Sequence, residues 1–279
     1  MRVNRYADPA AFWRDAQAFL ERDEAGNTQV LAIASRHAFE PGDSPPLGFT
    51  VAGAGAGALL AAAMLTAKGT LFPTSADAEV LGTLHDALAE DGHVVTDIVG
   101  EQATAEACAQ LTGAPFRRHV GLRLYRLETV NDVRMAPGAM RAASDADYDL
   151  LCAWQRAFFE DANVRESVDD IPHIVRRRLQ TGGAWLWEVD GVPVAHAGFR
   201  HTPIRSVRIA PVYTPPGERG RGYATALVAA LSRHLLGQGR MPLYLFADAQ
   251  NPTANGVYLR TGFHPAGEHV HLTRATEAA

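Results

Sequence analysis

The stretch Val212–Leu236 reads VYTPPGERGRGYATALVAALSRHLL, and it predicts a strand, a turn and a helix in close succession. A Pro-Pro-Gly sequence ends the strand, because proline lacks the N–H that pairs strands. A glycine-bearing loop then leads into an uninterrupted helix that begins near Gly222. Free N–H groups at a helix N-terminus attract anions, and Arg219 and Arg221 add positive charge. The stretch therefore predicts a phosphate or pyrophosphate site, with a tight turn and two solvated arginines as the alternative.

A second motif lies downstream at Asn251–Phe263, which reads NPTANGVYLRTGF. It places an Asn before a predicted helix, a Tyr on that helix and a Gly-Phe pair at the start of the next strand. The pattern Arg219-x-x-Gly222-x-Ala224 precedes it, with a helix and a strand between the two motifs. Together they resemble the GNAT superfamily of acyl-CoA-dependent N-acetyltransferases. The resemblance covers residues 134–272 and extends to the first half only in the order of its elements.

The resemblance implies an α/β fold with a mixed, mostly antiparallel sheet flanked by helices, and acetyl-CoA as the acyl donor. Backbone amides of the loop would cradle the CoA pyrophosphate, and the end of the preceding strand would bind the pantetheine arm along its edge. Asn251 would hold the pantetheine or stabilise the helix that shapes the slot. The predicted cofactor-binding residues are Val212, Tyr213, Thr214, Arg219, Gly220, Arg221, Gly222, Tyr223, Ala224, Thr225, Asn251 and Asn255.

The same resemblance assigns Tyr258 as the general acid that protonates the departing thiolate. A phenol with a pKa of ~10 suits this step, because the CoA thiolate has a comparable proton affinity. The alternative for Tyr258 is a buried aromatic residue that packs an amphipathic helix. Cys108 and Cys152 lie in apolar contexts away from both motifs, so no covalent nucleophile is indicated. We therefore expect direct attack by the amine in a ternary complex.

A general base is not identified from the sequence. The predicted central strand, residues 206–214, contains no carboxylate. Glu188, His196 and His201 lie on or near neighbouring strands and are candidates, although a structural role is the simpler interpretation of each. A water relay, or an amine that arrives neutral, would need no base.

The domain organisation follows from a repeated order of elements. Each half is predicted to contain two helices, a meander, a helix, a strand, a helix and a final strand. Residues 1–130 are predicted to be a degenerate GNAT-like domain, and residues 131–279 a GNAT acetyltransferase domain, in tandem. The segment Pro73–Gly82 of the first half reads PTSADAEVLG and lacks the loop motif, so we expect no CoA site there. The alternative is one α/β domain with an unrelated N-terminal region.

The composition excludes several classes of protein. With 26 basic and 31 acidic residues, the formal net charge is −5, which disfavours nucleic-acid binding through bulk charge. The two cysteines form no CxxC pair, so neither a disulfide framework nor a metal site is indicated, and we expect a cytoplasmic protein. The most apolar run, Gly53–Leu65, has 13 residues, fewer than the ~20 that span a bilayer, so no membrane association is expected.

These observations predict an acetyl-CoA-dependent N-acetyltransferase that acts on a primary amine of a small molecule or peptide, without a metal. One alternative, motivated by the missing base, is a CoA-binding sensor or scaffold without turnover. A further alternative is the transfer of a longer acyl group, or transfer to an alcohol.

Overall fold

The computed structural model describes residues 1–39, 44–55, 57–162, 167–200 and 204–275. Contacts between residues divide the chain into two compact units. The first unit is Met1–Arg123 together with the chain from Gly267 onward, and the second is Leu124–Ala266. This division differs in two ways from a boundary between residues 130 and 131. The chain enters the second unit at Leu124, and most of its last strand belongs to the first unit.

The first unit is built around a sheet that takes one strand from the end of the chain. Its elements are β1 (Arg2–Tyr6), α1 (Pro9–Leu20), α2 (Thr28–Phe39), β2 (Leu47–Ala52), β3 (Leu59–Leu65), β4 (Thr70–Pro73), α3 (Ala78–Glu90), β5 (Asp97–Glu101), α4 (Gln102–Leu111) and most of β6 (Phe116–Leu127). Most of the last strand, which is β12 (His264–Arg274), completes it. The strand order is β1-β2-β3-β4-β5-β12. Neighbouring strands are antiparallel except β4 and β5, which are parallel.

The core of the first unit lies between this sheet and helices α3 and α4. Leu81 and Leu84 of α3 and Cys108 of α4 pack in one cluster with Val270 and Leu272 of β12. Burial raises the pKa of the Cys108 thiol to about 12, so this side chain stays protonated and packs as a small apolar group. The C-terminal strand is therefore an integral part of the first core.

The second unit begins with the last residues of β6. Its further elements are β7 (Ala139–Ala142), α5 (Tyr148–Asp161), α6 (Ile171–Gln180), β8 (Ala184–Val189), β9 (Val192–Phe199), β10 (Val207–Tyr213), α7 (Tyr223–Gly237), β11 (Leu243–Asp248) and α8 (Pro252–Thr261). The strand order is β6-β11-β10-β9-β8-β7. Strands β7 to β10 are antiparallel neighbours, whereas β10 and β11 are parallel. The predicted fold class, α/β with a mixed, mostly antiparallel sheet flanked by helices, is confirmed.

Helices pack on both faces of the second sheet. Successive residues of a strand point to opposite faces, and Leu186 and Trp187 of β8 accordingly lie in different clusters. Leu186 packs with Leu151 of α5 and Val175 of α6. Trp187 belongs to the cluster that contains Leu227 and the other buried side chains of α7 and α8. The first helix pair thus covers one face and the second pair covers the other.

Local sequence signals determine where α8 begins and ends. The side-chain oxygen of Asn251 accepts a hydrogen bond from the Ala254 N–H at 3.0 Å, and Pro252 occupies the first turn, where no N–H is needed. Gly262 ends the helix at φ 104°, a conformation that favours glycine, and a Cβ atom there would lie 2.7 Å from the Thr129 carbonyl oxygen. Among the helices of the described ranges, none has the length and apolar character needed to cross a bilayer.

Candidate active site

The candidate site begins where the pairing of two parallel strands stops. Val207 pairs with Leu243 and Arg208 with Tyr244, and β10 then continues without a partner in β11. It remains paired with β9, through a register shift between Ile209 and Val212. The sheet therefore leaves the β11-facing edge of the end of β10 free, and such an edge can pair with an extended ligand.

The loop after β10 ends at a helix N-terminus with unused donors. Gly222 caps α7 at φ 83°, and the Ala226 N–H makes the first intrahelical bond, to the Gly222 carbonyl at 3.0 Å. The N–H groups of residues 223–225 therefore have no acceptor within the helix, and no side chain caps them. Gly220 also has a positive φ, 78°, and a Cβ atom there would meet nothing within 4 Å. The geometry is that of an anion-binding loop with open space in front of it.

The two arginines of this loop are paired with carboxylates. Arg219 donates from Nε to the Thr214 carbonyl oxygen at 2.9 Å, and its terminal nitrogen contacts Asp161. Arg221 donates to Glu218 at 3.0 Å. Arg219 thus fastens the loop to the end of β10 and to the end of α5. Because both arginines already contact carboxylates, the donors available to an anion are the backbone N–H groups of residues 223–225.

Thr214, at the end of β10, carries a buried polar atom without a partner. Its carbonyl oxygen accepts the bond from Arg219, but its hydroxyl oxygen is buried and forms no hydrogen bond. A buried hydroxyl without a partner loses its hydration with no compensation. A ligand that extends along β10 would supply a partner to this group, so the position fits a polar, extended ligand.

The two asparagines of the second motif have structural partners. Asn251 caps α8 through its side-chain oxygen. Asn255 is buried, and its amide nitrogen donates to the Asp248 and Asn251 carbonyl oxygens at 2.9 Å and 2.6 Å. Its amide oxygen accepts from the Tyr125 hydroxyl at 2.7 Å. The structure therefore uses both N–H groups of Asn255 inside the protein.

Tyr258 lies on α8 with its ring in the core. The ring centroid is 5.8 Å from that of Tyr125 and 6.0 Å from that of Phe263. Its hydroxyl makes no hydrogen bond to any described residue. Burial raises its pKa, and the neighbouring Tyr125 adds to the effect. The hydroxyl is thus protonated at neutral pH and is available as a proton donor.

Neither of the two base candidates that lie within the described residues, Glu188 and His196, is suited to accept a proton. Glu188 is ion-paired with Arg141. His196 is fully buried, and this burial, with a smaller contribution from Arg178, lowers its pKa to about 3. His201 lies outside the described residues. Within those residues, no group of three or more His, Cys, Asp or Glu side chains is arranged to hold a metal ion.

The sequence profile of the acetyltransferase (GNAT) family matches residues 148–263. These residues form a GNAT acetyltransferase domain. The domain contains both motifs, the unpaired end of β10 and Tyr258. The predicted family and the predicted enzyme class, an acyltransferase, are confirmed for this part of the chain. Comparison with curated proteins gives no match.

Solved GNAT structures match the whole chain at low sequence identity. An acetyltransferase of the GNAT family from Colwellia psychrerythraea is 12% identical with a TM-score of 0.64, covering 99% of this chain and 100% of that one. A GCN5-related N-acetyltransferase from Sphaerobacter thermophilus is 15% identical with a TM-score of 0.62, covering 98% and 95%. A tandem GNAT protein from the clavulanic acid biosynthesis pathway is 12% identical with a TM-score of 0.58, and both chains are covered completely. At these identities the likeness establishes the fold, and the predicted tandem architecture is confirmed.

Sequence reasoning missed one residue of this site, Tyr125. It lies on β6, outside the matched GNAT domain and before the predicted domain boundary, in a stretch whose alternating pattern indicates only a strand. A separate cavity of about 490 Å³ in the first unit, lined by Leu47, Lys68 and His93 among others, contains no predicted site residue. Its lining lies outside both motifs and outside the matched GNAT domain, so the candidate site is the one in the second unit.

Proposed function

We propose that the protein transfers an acetyl group from acetyl-CoA to a primary amine of a small molecule or peptide. The observation that carries this proposal is the loop at Gly220–Gly222. It leads into a helix whose first backbone N–H groups have no acceptor, and it follows a strand whose pairing with β11 has stopped. An anion next to an extended polar arm is the chemistry of the pyrophosphate and pantetheine of CoA.

Each part of the second unit fits one part of this ligand. The N–H groups from Gly220 to Thr225 would hold the pyrophosphate. The free edge of β10 at Val212–Thr214 would bind the pantetheine amides, and the Thr214 hydroxyl would gain the partner that it lacks. Asn251 acts by shaping the start of α8. Asn255 is left out of the proposed ligand set because its amide is already engaged.

In the proposed reaction the protein supplies one proton donor, Tyr258. Acetyl-CoA supplies, when bound, an acetyl thioester that an amine can attack, so that a C–N bond forms and the C–S bond breaks. Tyr258 would deliver its hydroxyl proton to the departing sulfur, and its raised pKa keeps the hydroxyl protonated but makes this transfer less favourable than from an ordinary phenol. The proton released by the amine would pass to water, because Glu188 is ion-paired and His196 has too low a pKa to take it.

We further propose that acetyl-CoA binds once per chain, in the second unit. In the first unit the Ser75 hydroxyl lies 2.9 Å from that of Thr104 and bridges the end of β4 to the start of α4. The segment that follows β4 is thus tied to α4 by a hydrogen bond, and it lacks the loop motif of the second unit. Calorimetric titration should give a stoichiometry of one, and two bound molecules per chain would contradict this assignment.

A CoA-binding sensor without turnover is the second candidate. It is favoured because Glu188 is ion-paired and His196 has a lowered pKa, so neither is suited to act as a base. This candidate predicts tight binding of acetyl-CoA with no release of free thiol.

A thiol-release assay distinguishes the two candidates. Acetyl-CoA, propionyl-CoA and a longer acyl-CoA are each offered with a panel of primary amines and matched alcohols. We expect thiol release that depends on an amine and is fastest with acetyl-CoA, and we expect it to be strongly reduced in Tyr258→Phe. Binding without release over the whole panel would instead support the sensor.

A further inference from the structure

Tyr125 joins β6 to α8 inside the second unit. It is fully buried, and its hydroxyl donates to the side-chain oxygen of Asn255 at 2.7 Å. A hydrogen bond of this length between two buried side chains is well formed. Tyr125 lies 23 residues before the start of the matched GNAT domain at residue 148, so neither motif includes it.

Asn255 in turn holds the connection between β11 and α8. Its two N–H groups donate to the carbonyl oxygens of Asp248, at the end of β11, and Asn251, at the cap of α8. These bonds require the amide oxygen to face the other way, toward Tyr125. A flipped amide would turn its oxygen toward the two carbonyl oxygens, which cannot donate. The two carbonyl oxygens therefore fix the orientation of the amide, and the Tyr125 hydroxyl holds the amide oxygen that faces away from them.

Tyr258 depends on that turn for its position. It lies three residues after Asn255, one helical turn further along the same side of α8. Its hydroxyl has no hydrogen bond to a described residue, so its place is determined by ring packing and by the position of the helix. A small shift of α8 moves the proton donor directly. Misplacement by about 1 Å can cost about a hundredfold in rate.

We propose that Tyr125 is a positioning residue for Tyr258, acting through Asn255. The inference rests on the proposed function, because it assigns Tyr258 as the proton donor. It follows that a residue from the first half of the chain contributes to the activity of the GNAT domain, without contacting the substrates.

The first test compares Tyr125→Phe with Tyr6→Phe in the full chain. Tyr6, in the first unit, is partly exposed; its hydroxyl donates to the Asp15 side chain at 2.9 Å and lies 3.3 Å from the Thr50 hydroxyl, so the control loses a tyrosine hydroxyl away from α8. In Tyr125→Phe we expect kcat to fall about tenfold to a hundredfold. The KM for acetyl-CoA should stay within about twofold, because the loop that binds it is unchanged. In Tyr6→Phe both constants should be unchanged.

A double variant separates positioning from stability. In Tyr125→Phe with Asn255→Leu, no polar side-chain atom is left unpaired, so the Tm should recover toward that of the wild type. The Asp248 and Asn251 carbonyl oxygens still accept from main-chain N–H groups at 3.0 Å and 3.1 Å. The kcat should nevertheless stay low, because the side-chain tie across the turn is gone. Recovery of kcat together with Tm would overturn the inference.

The remaining outcomes separate this inference from the proposed function. A wild-type enzyme that turns over, with an unchanged kcat in Tyr125→Phe, overturns the role of Tyr125 and leaves the function intact. A wild-type protein that binds acetyl-CoA but releases no thiol with any acceptor overturns both.

Discussion

Each unit contains a parallel strand pair that is in register over two residue pairs, and the units differ in what lies beyond that pairing. In the first unit β4 pairs with β5 at Thr70–Asp97 and Leu71–Ile98, and beyond these pairs the strands remain close, with a Cβ atom on Gly100 3.5 Å from Pro73. In the second unit, β10 loses its pairing with β11 after Arg208.

The hydroxyl groups that follow β4 and β10 differ in whether they have a hydrogen-bond partner. Beyond β4, Ser75 bonds to Thr104, whose hydroxyl donates to Glu101 at 2.9 Å. Beyond β10, the buried Thr214 hydroxyl bonds to nothing. Both units use the same element order, so the order alone does not make a site. What distinguishes them is whether the ends of the parallel strands are bridged by protein or left for a ligand.

The largest effect is expected from removing the proton donor of the open unit. Tyr258→Phe keeps the ring and deletes the hydroxyl, so kcat should fall by about 10²–10⁴-fold, while the KM for acetyl-CoA moves far less. Steady-state kinetics and a melting curve on the same variant provide the check. Turnover within a few-fold of wild type, combined with a lowered Tm, would make Tyr258 a packing residue only.

The next effect concerns the loop that only the second unit has. Gly222→Val places a branched side chain at φ 83°, where such residues are strained by about 1–2 kcal/mol, and obstructs the approach to the backbone N–H groups. We expect acetyl-CoA affinity to fall by at least about tenfold in calorimetry.

Gly92→Val is the matched control for this strain. Gly92 follows α3 in the first unit, has φ 72°, and a Cβ atom there meets nothing within 4 Å. The control should lower the Tm comparably and leave the affinity unchanged. Equal loss of affinity in both variants would mean that strain, and not the loop, controls binding.

Both units should lose stability in acid, because each contains a buried histidine whose pKa is lowered. Burial lowers the pKa of His196 to about 3 and that of His269 to about 4, against an ordinary value of 6.5. Below pH 6.5 these histidines are protonated in the unfolded chain but remain neutral in the folded protein. The free energy of unfolding therefore decreases as the pH falls from 6.5 toward these values.

His196→Asn tests this coupling, since its amide can still donate to the Trp185 carbonyl oxygen that Nδ1 contacts at 3.0 Å. Between pH 7 and 5 the wild type should lose about 2 kcal/mol more unfolding free energy than the variant. Urea denaturation at both pH values measures the difference, and His269→Asn should change it in the same direction. An acid response that persists unaltered in His196→Asn would show that this histidine is charged in the folded state.

The smallest effects are expected from two threonine variants, one in each unit. They test whether the hydroxyl beyond the parallel strands serves the protein or a ligand. Thr104→Val removes the hydroxyl between Ser75 and Glu101, and unfolding free energy should drop by about 1–2 kcal/mol. Burial acts to raise the pKa of Glu101, but the hydrogen bonds from Thr104 and from the Ala103 N–H, together with His269, keep it below the usual value, so the loss of the Thr104 hydroxyl weakens the support of this carboxylate. Acetyl-CoA affinity should not change.

Thr214→Val should do the reverse. It replaces an unpartnered buried hydroxyl with a methyl group, so the free protein should be as stable as the wild type or slightly more so. Affinity for acetyl-CoA should fall by about 1 kcal/mol, or fivefold. If Thr214→Val were destabilising without a change in affinity, the open strand end would be a structural feature and not a binding surface.

Most elements could be predicted from the sequence, because each has a local signal. Apolar periodicity, helix caps and the turn residues predict α1 to α8 and most strands. The strand β1 was missed, since RVNRY has one aliphatic residue and no regular alternation of apolar and polar positions, and it lies partly exposed at an edge of its sheet. Its pairing with β2 is a property of the tertiary structure, which no local pattern reports.

The site could be predicted less completely for a related reason. The anion loop and Tyr258 lie in contiguous motifs and were found. The free end of β10 depends on its register with β11, which no local pattern encodes. Tyr125, the partner of Asn255, lies 130 residues away in the sequence. The sequence also suggested that Arg219 recognises phosphate, whereas the fold pairs it with Asp161. Relations between distant segments, and not residue types, decided these points.

The placement of β12 in the first unit has a consequence for the order in which the protein can be made. Chains leave the ribosome N-terminus first, and domains commonly fold as they emerge. The first core here includes Val270 and Leu272, so its apolar surface stays incomplete while the second unit is translated. The second unit likewise includes Tyr125 and Leu127, which are made before its GNAT domain. The first unit therefore cannot complete its core until the whole second unit and β12 have been made.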